Sequence, residues 1–522
     1  GRICCFGREI IGFPWTFKQA WCVRSRQKTR KKNNIQKMRG EGVLKRSSGV
    51  LLHISSLWGS YSCGSFGEAA RQFVDFLKKG GFSYWQTLPF CLPDEWASPY
   101  SSYSTFSLNP DFIDLEELYK EGLISEKELH GTLHKTPYSV EYDRLKEERM
   151  ALLAKAAERF SGGKEYEDFF VLHGHTEDFC HFMAGKAVNG QKPFWEWTEQ
   201  EEDFSVYRTW RFVCYTFFRQ WKKIKDYANG KGISIIGDIP MYVSLDSADV
   251  WKNPEDFQLD ERFRPTRVAG VPPDCFSKDG QLWGNPLYDW KEMEKDDFSF
   301  WKDRICFMCE LFDCIRIDHF RGLESYYAVD AKAENAREGK WEKGPGRKLL
   351  KALRSVCGEK VLIAEDLGIV TPAVERLVKD SGCPGMRVLQ FGFEGGADSP
   401  HLPHNYPRNC VAYSGTHDNN TLLGYLWELG DDVRRRVFSY CGFEKEDWNC
   451  QESYRAVLHT LLGSPADVVI LPLQDLLLYG ADTRMNVPGR SGGNWLWRVT
   501  KEQVETVDTE WFLRQNRLFG RI

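Results

Sequence analysis

The stretch CIRIDHFRGL, residues 314–323, ends an apolar run abruptly in charge. On a strand, Ile315 and Ile317 face one way and Arg316 and Asp318 the other. A guanidinium and a carboxylate two residues apart on one face are expensive to bury, so the pair demands a reason. An ion pair closing the strand is the plainest one. His319 and Arg321 follow at once, and Gly322 marks the chain turning away. The same kind of ending recurs along the chain. GDIP carries Asp238, AED carries Glu365 and Asp366, FGFE carries Glu394, GTHDN carries Asp418 and LQD carries Asp475. Repetition turns an isolated ion pair into an expected acidic pocket, ringed by Arg316, His319 and His417.

Grouped acids serve either a metal or proton chemistry. No HExxH or comparable ligand set occurs. Cys306 and Cys309 form a CxxC with helical spacing, but no second pair accompanies them, so neither zinc nor any other cofactor is expected. The chain is rich in aromatic residues, with 19 Trp and 14% Phe, Trp and Tyr overall. Carboxylates beside flat apolar rings suit glycosidic chemistry. That chemistry needs an ionised carboxylate, a protonated carboxyl and support for an oxocarbenium-like transition state. Glu365 and Asp366 are strand neighbours, so only one can point inward; if Ile363 is inward one layer below, Glu365 is that one.

The elements that must position these acids alternate. SGVLLHISSL reads as a strand, EAARQFVDFLKKGG as an amphipathic helix with Ala69, Phe73, Phe76 and Leu77 on one face, and FSYWQTLPF as the next strand. Such a strand–helix–strand unit implies parallel pairing. Eight apolar strands follow this rhythm, near positions 51, 84, 234, 314, 361, 386, 410 and 467. Eight parallel strands with crossover helices predict a closed (β/α)8 barrel of the α/β class, whose site lies at the carboxyl ends of the strands. An open doubly wound sheet usually carries a glycine-rich phosphate loop, and no GxGxxG or Walker sequence occurs. GRSGG at 489–493 formally fits GxSxG but follows MNVP rather than a strand, which argues against a serine-hydrolase elbow. The expected organisation is a barrel over 46–110 and 231–510, interrupted by a mostly helical insertion over 111–230. Residues 1–45 are a basic leader; Glu9 is the only acid of the first forty. The leader reads as a disordered arm, as a transit peptide, or as a segment preceding a start at Met38.

Composition narrows the partners. The net charge of −4 over 522 residues gives no footprint for nucleic acid, and no apolar run of membrane-spanning length occurs. Sixteen Cys scattered through apolar segments without a regular framework suit a reducing compartment. The cytoplasm is therefore expected, or a plastid if the leader is a transit peptide.

Several stretches together resemble the amylomaltases, or disproportionating enzymes. These are 4-alpha-glucanotransferases of the alpha-amylase superfamily. The matching segments are LLHISSL, ASPYSSYSTFSLNP, GDIPMYV, PPDCFSKDGQLWGNPLY, RIDHFRGL, LIAEDLG, YSGTHDNNT, LPLQDLL and RMNVPGRSGGNW, in the family's order. The resemblance implies transfer of alpha-1,4-glucan segments between maltodextrins, with retention, through a covalent glucosyl-enzyme. It implies Asp318 as nucleophile, Glu365 as general acid/base and Asp418 as stabiliser of the distorted sugar. By the same resemblance, Tyr100 stacks on the sugar before the scissile bond, and Asp274, Phe276 and Trp283 belong to a loop over the acceptor. Arg316 and His417 would hydrogen-bond the sugar at the cleavage point, and Glu394 and Asn486 would line the groove. In those roles, Arg316 should lower the Asp318 pKa and hold it ionised. Glu365 should have a raised pKa, keeping its proton until needed. Trp58, Cys63 and Cys275 depart from the family's usual residues. Alpha-1,4-glucans are the expected partners; oligomeric state leaves no mark in the sequence.

Overall fold

Among the described residues, apolar runs bounded by Gly, Pro, Ser and Asp form twelve strands. They are β1 (Ser47–Leu51), β2 (Tyr84–Gln86), β3 (Ser234–Ile239), β4 (Arg267–Val271), β5 (Gln281–Pro286), β6 (Cys314–Ile317), β7 (Ser325–Asp330), β8 (Gly339–Lys343), β9 (Val361–Ala364), β10 (Gly385–Val388), β11 (Cys410–Tyr413) and β12 (Val468–Pro472). The computed structural model describes residues 44–522, except residues 95, 274–276, 446 and 491. Eight strands close into a parallel barrel in the order β1-β12-β11-β10-β9-β6-β3-β2. These are the eight strands the strand–helix alternation predicts, and the (β/α)8 architecture follows.

The period of two in each strand divides the core into two layers. Leu51, Ile236, Ile363, Val388, Tyr413 and Ile470 pack inside the barrel. Val50, Ile235, Leu362, Ala412 and Val469 pack outward under the helices. On β6, Ile315 and Ile317 join the outer layer, so Arg316 points inward. Each buried aliphatic side chain contributes about 1.5–3 kcal/mol. A shift of β6 by one residue would lose two such contributions and expel the guanidinium onto the helices.

Helix Glu68–Lys79 buries Ala70, Phe73, Val74 and Leu77. This differs from the expected face: Ala69 and Phe76 lie at its flank, only partly buried, because the helix is rolled by about one residue. Helix Phe204–Gly230, 27 residues long, follows a series of shorter helices and leans against the barrel. Its Trp221 meets Phe90 edge-on with ring centroids 4.7 Å apart, and donates its indole N–H to the Leu311 carbonyl at 2.8 Å.

A second, antiparallel sheet of order β5-β4-β7-β8 was not expected from the sequence. It is built from the connections that leave the carboxyl ends of β3 and β6. Strand β8 is largely exposed and β5 only half-buried, so they lack the apolar signal that reveals the barrel strands.

Gly49 marks the closest approach at the barrel seam, where β1 lies between β2 and β12. A Cβ there would fall 2.5 Å from the Tyr84 carbonyl oxygen and 2.8 Å from the Ile470 Cδ1. Gly49→Ala is therefore expected to destabilise the barrel by about 1–3 kcal/mol, read as a lowered Tm in scanning calorimetry.

Candidate active site

The inward residue of β6 anchors the barrel mouth. Arg316 donates to the Asp238 Oδ2 at 2.6 Å and pairs with the Asp318 Oδ1 at 2.9 Å. Asp238 ends β3 and has no exposed surface; its Oδ2 also accepts from the Tyr100 hydroxyl at 2.7 Å. One buried guanidinium thus ties together two strand ends and the loop that carries Tyr100. Two carboxylates around one guanidinium keep this cluster from being an uncompensated charge.

The backbone then turns sharply. His319 adopts φ 47° and ψ 46°, a left-handed conformation that costs a non-glycine residue about 1–3 kcal/mol. The turn points the His319 N–H at Glu365, whose Oε2 accepts it at 2.8 Å. The Leu367 N–H reaches the other oxygen at 3.0 Å. Glu365 follows β9, two residues past inward-facing Ile363, and is close enough to feel the Asp318 charge. The His319 ring itself faces away from the carboxylates and meets Trp283 of β5 edge-on at 4.8 Å.

The third acid comes from the far side. The Asp418 Oδ1 accepts from the Asn486 amide at 2.6 Å, and its Oδ2 lies 3.3 Å from the His417 Nε2. Arg484 donates to the Asp418 carbonyl at 2.5 Å. Asp418 does not cap the following helix; Thr421 does, accepting from the Gly424 N–H. His417 stacks on Tyr100 with centroids 5.1 Å apart, and Trp495 packs against both rings at about 6 Å.

The charges of Asp418 and Arg316 are both felt at Asp318, and those of Arg316 and Asp318 at Glu365, so the three acids share one mouth. Burial pushes the Glu365 carboxyl up to about 8; the Arg316 charge opposes this, while Asp318 and Asp366 add to it. Asp318 departs from the sequence expectation. Burial outweighs Arg316 and lifts it to about 6, aided by Asp238 and Asp418. Its side chain keeps 30% exposure, so it remains reachable from the mouth. At Asp418 burial also pushes upward, but His417 and Asn486 overcome it and hold the carboxyl well below its usual range. Between about 6 and about 8, Asp318 is charged while Glu365 keeps its proton.

Not every strand-end acid joins the mouth. Asp475 accepts from the Ser414 hydroxyl and the Leu422 N–H, bracing β12 against the helix Leu422–Glu428. Asp366 accepts from the Met386 N–H at 2.6 Å and from Arg387 at 3.2 Å, bracing β9 against β10. Glu394 is exposed, and its charge is felt at Tyr425. The ring of acids read from the strand ends is therefore too wide. An acid at a strand end can serve the backbone of its neighbour as readily as the mouth. Asp274 and Phe276 lie outside the described residues. Trp495 is the residue sequence reasoning missed; it sits in the GNW segment, and its φ of 65° is unusual for so large a side chain. No group of three His, Cys, Asp or Glu among the described residues could hold a metal ion.

The closed barrel with acids gathered at the carboxyl ends of its strands is that of a (β/α)8-barrel enzyme. Residues 52–504 match the family model described as 4-alpha-glucanotransferase, and the chain belongs to that family. It is 41% identical over 499 residues to a 4-alpha-glucanotransferase of Streptococcus pneumoniae, covering 92% of this chain and 98% of that one. It is 42% identical over 493 residues to one from Aquifex aeolicus, covering 91% and 99%. Among solved structures it resembles an amylomaltase from Streptococcus agalactiae in complex with acarbose. That likeness has a TM-score of 0.87 and 37% identity, covering 91% of this chain and all of that one.

Asp238→Ala would leave Arg316 buried against a single carboxylate and Tyr100 without its acceptor. A loss of about 3–5 kcal/mol is expected from breaking one side of such a pair, seen as a Tm well below that of the parent protein.

Proposed function

We propose that this enzyme transfers alpha-1,4-glucan segments between maltodextrins by retaining double displacement. Asp318 attacks the anomeric carbon from the floor of the mouth. Glu365 gives its proton to the leaving glycosidic oxygen, and Asp418, held ionised by His417 and Asn486, steadies the positive charge on the distorted ring. The 4-hydroxyl of a second glucan, deprotonated by Glu365, then displaces Asp318 and restores both carboxyls. The observation that carries this reading is the pair of adjacent carboxyls with different proton affinities, Glu365 the higher. Two titratable groups pushed apart in this way divide into nucleophile and acid.

Transfer prevails over hydrolysis only if an acceptor sugar keeps water from the intermediate. Trp283, packed on His319 one residue from the nucleophile, is the residue for that task. Tyr100, stacked on His417 and fixed through Asp238, offers a ring for the donor sugar. The acarbose bound by the Streptococcus agalactiae amylomaltase supports a sugar-shaped ligand for this fold.

Maltotriose distinguishes the outcomes. Glucose together with longer maltodextrins in the chromatogram supports transfer; shorter sugars alone would mean hydrolysis. Asp318→Asn is expected to lower turnover by several orders of magnitude while maltodextrin binding persists. The pH profile of kcat/KM should be bell-shaped. Activity falls below about 6, where Asp318 takes up a proton, and above about 8, where Glu365 loses its own. In Glu365→Gln the alkaline limb should vanish, and a reactive donor such as maltosyl fluoride should leave a glycosyl adduct visible by mass spectrometry. An unchanged alkaline limb would remove Glu365 from the role.

A further inference from the structure

Arg321 lies in the turn Phe320–Leu323 that leaves β6, shortly after Asp318. It is buried, and the mechanism above gives it no part. One of its N–H groups donates to the Ile369 carbonyl at 2.6 Å and another to the Ser325 hydroxyl at 3.1 Å. Its Cζ lies over the Trp341 ring, 3.8 Å from the centroid. One buried guanidinium thus joins the segment after Glu365, the start of β7 and the middle of β8.

Trp341 stands on β8 opposite Tyr327 of β7, and the two rings meet at 5.1 Å. Even so, 40% of Trp341 is exposed. The guanidinium covers one face of the indole, so the open surface lies on the other side. Ile369 and Val370, in the segment that follows Glu365, are exposed as well. Three large apolar side chains held open around one buried arginine form a surface suited to contact. The cation seated under the indole orients the ring before any ligand arrives, which lowers the entropy cost of using it.

The place of this surface beside the chemistry selects its occupant. Glu365 serves first the leaving oxygen and then the acceptor hydroxyl, so leaving and acceptor sugars lie on its side of the mouth. The Glu365 charge is felt at Arg321, and the Arg321 charge at His319, whose ring meets Trp283. His319, Arg321 and Trp341 therefore lead outward from the mouth on that side. A glucosyl ring presents a face of C–H groups that can lie flat on an indole. An acceptor several sugars long extends out of the mouth to reach Trp341; a single glucose does not.

We propose that Trp341 and Ile369, both held by Arg321, form a distal acceptor subsite that binds a glucosyl unit of maltodextrins several sugars long. Under the transfer reading above, on which this subsite rests, the wall controls which acceptor lengths are used and not the chemical step.

Maltosyl fluoride radiolabelled in its maltosyl group, given to the full chain with equal concentrations of glucose and maltopentaose, tests the assignment. Labelled maltotriose and maltoheptaose report how the glycosyl-enzyme divides between the two acceptors. Trp341→Ala should lower the ratio of maltoheptaose to maltotriose by about fivefold or more, and Trp341→Phe should restore most of it. Ile369→Ser, at an exposed position, should lower the ratio by a smaller factor and decides the matter if Trp341→Ala fails to fold. A purely structural role for Trp341 would slow both products together and leave the ratio at its parent value. That outcome, with transfer intact in the parent, overturns the subsite alone. Labelled maltose as the sole product of the parent overturns the transfer reading, and the subsite with it.

Discussion

The guanidinium of Arg316, buried between Asp238 and Asp318, is the constraint on which the mouth depends. A single positive charge at the top of the barrel would be costly alone, and so would either acid. Together they fix the ends of β3 and β6, and through Tyr100 they fix the loop that follows the adjacent strand β2. Other groups of the mouth connect to that anchor. His319 turns out of β6 with its N–H toward Glu365, and Tyr100 carries His417, which carries Asp418. The charge that holds the architecture together is the same charge that helps keep Asp318 ionised against the pull of burial.

Burial has different outcomes at the three carboxyls of the mouth. At Glu365 it prevails, assisted by two nearby acids, and the proton is retained near neutral pH. At Asp418 it is defeated by an imidazole and an amide. Asp318 lies between these limits. One small volume thus contains three acids with three proton affinities, created by neighbours rather than by residue type. The left-handed turn at His319 is the local strain that accompanies it, since that turn brings the His319 N–H to the Glu365 Oε2.

The barrel was legible in the sequence because its strands are continuous apolar runs that end in charge. The register of β6 could be read from four residues, Ile315 to Asp318, since only one face of that strand tolerates aliphatic side chains. The second sheet was not legible, because an exposed strand such as β8 carries no apolar run of its own, and only its pairing with β7 makes it a strand. The acids show the same limit. Asp318 and Asp475 both end apolar strands, yet one faces the mouth and the other accepts a backbone N–H. Which of these occurs depends on what the neighbouring strand presents, and that is tertiary information. Trp495 escaped notice because its importance lies in a contact with Tyr100, almost four hundred residues earlier.

The seam between β1 and β12 has a consequence for synthesis. Residues that pair at Gly49 and Ile470 leave the ribosome far apart in time, so the barrel stays an open sheet through most of translation. During that interval the free edges of the first and latest strands are available for pairing with other chains. Newly made protein is therefore most exposed to misassembly just before its last barrel strand arrives.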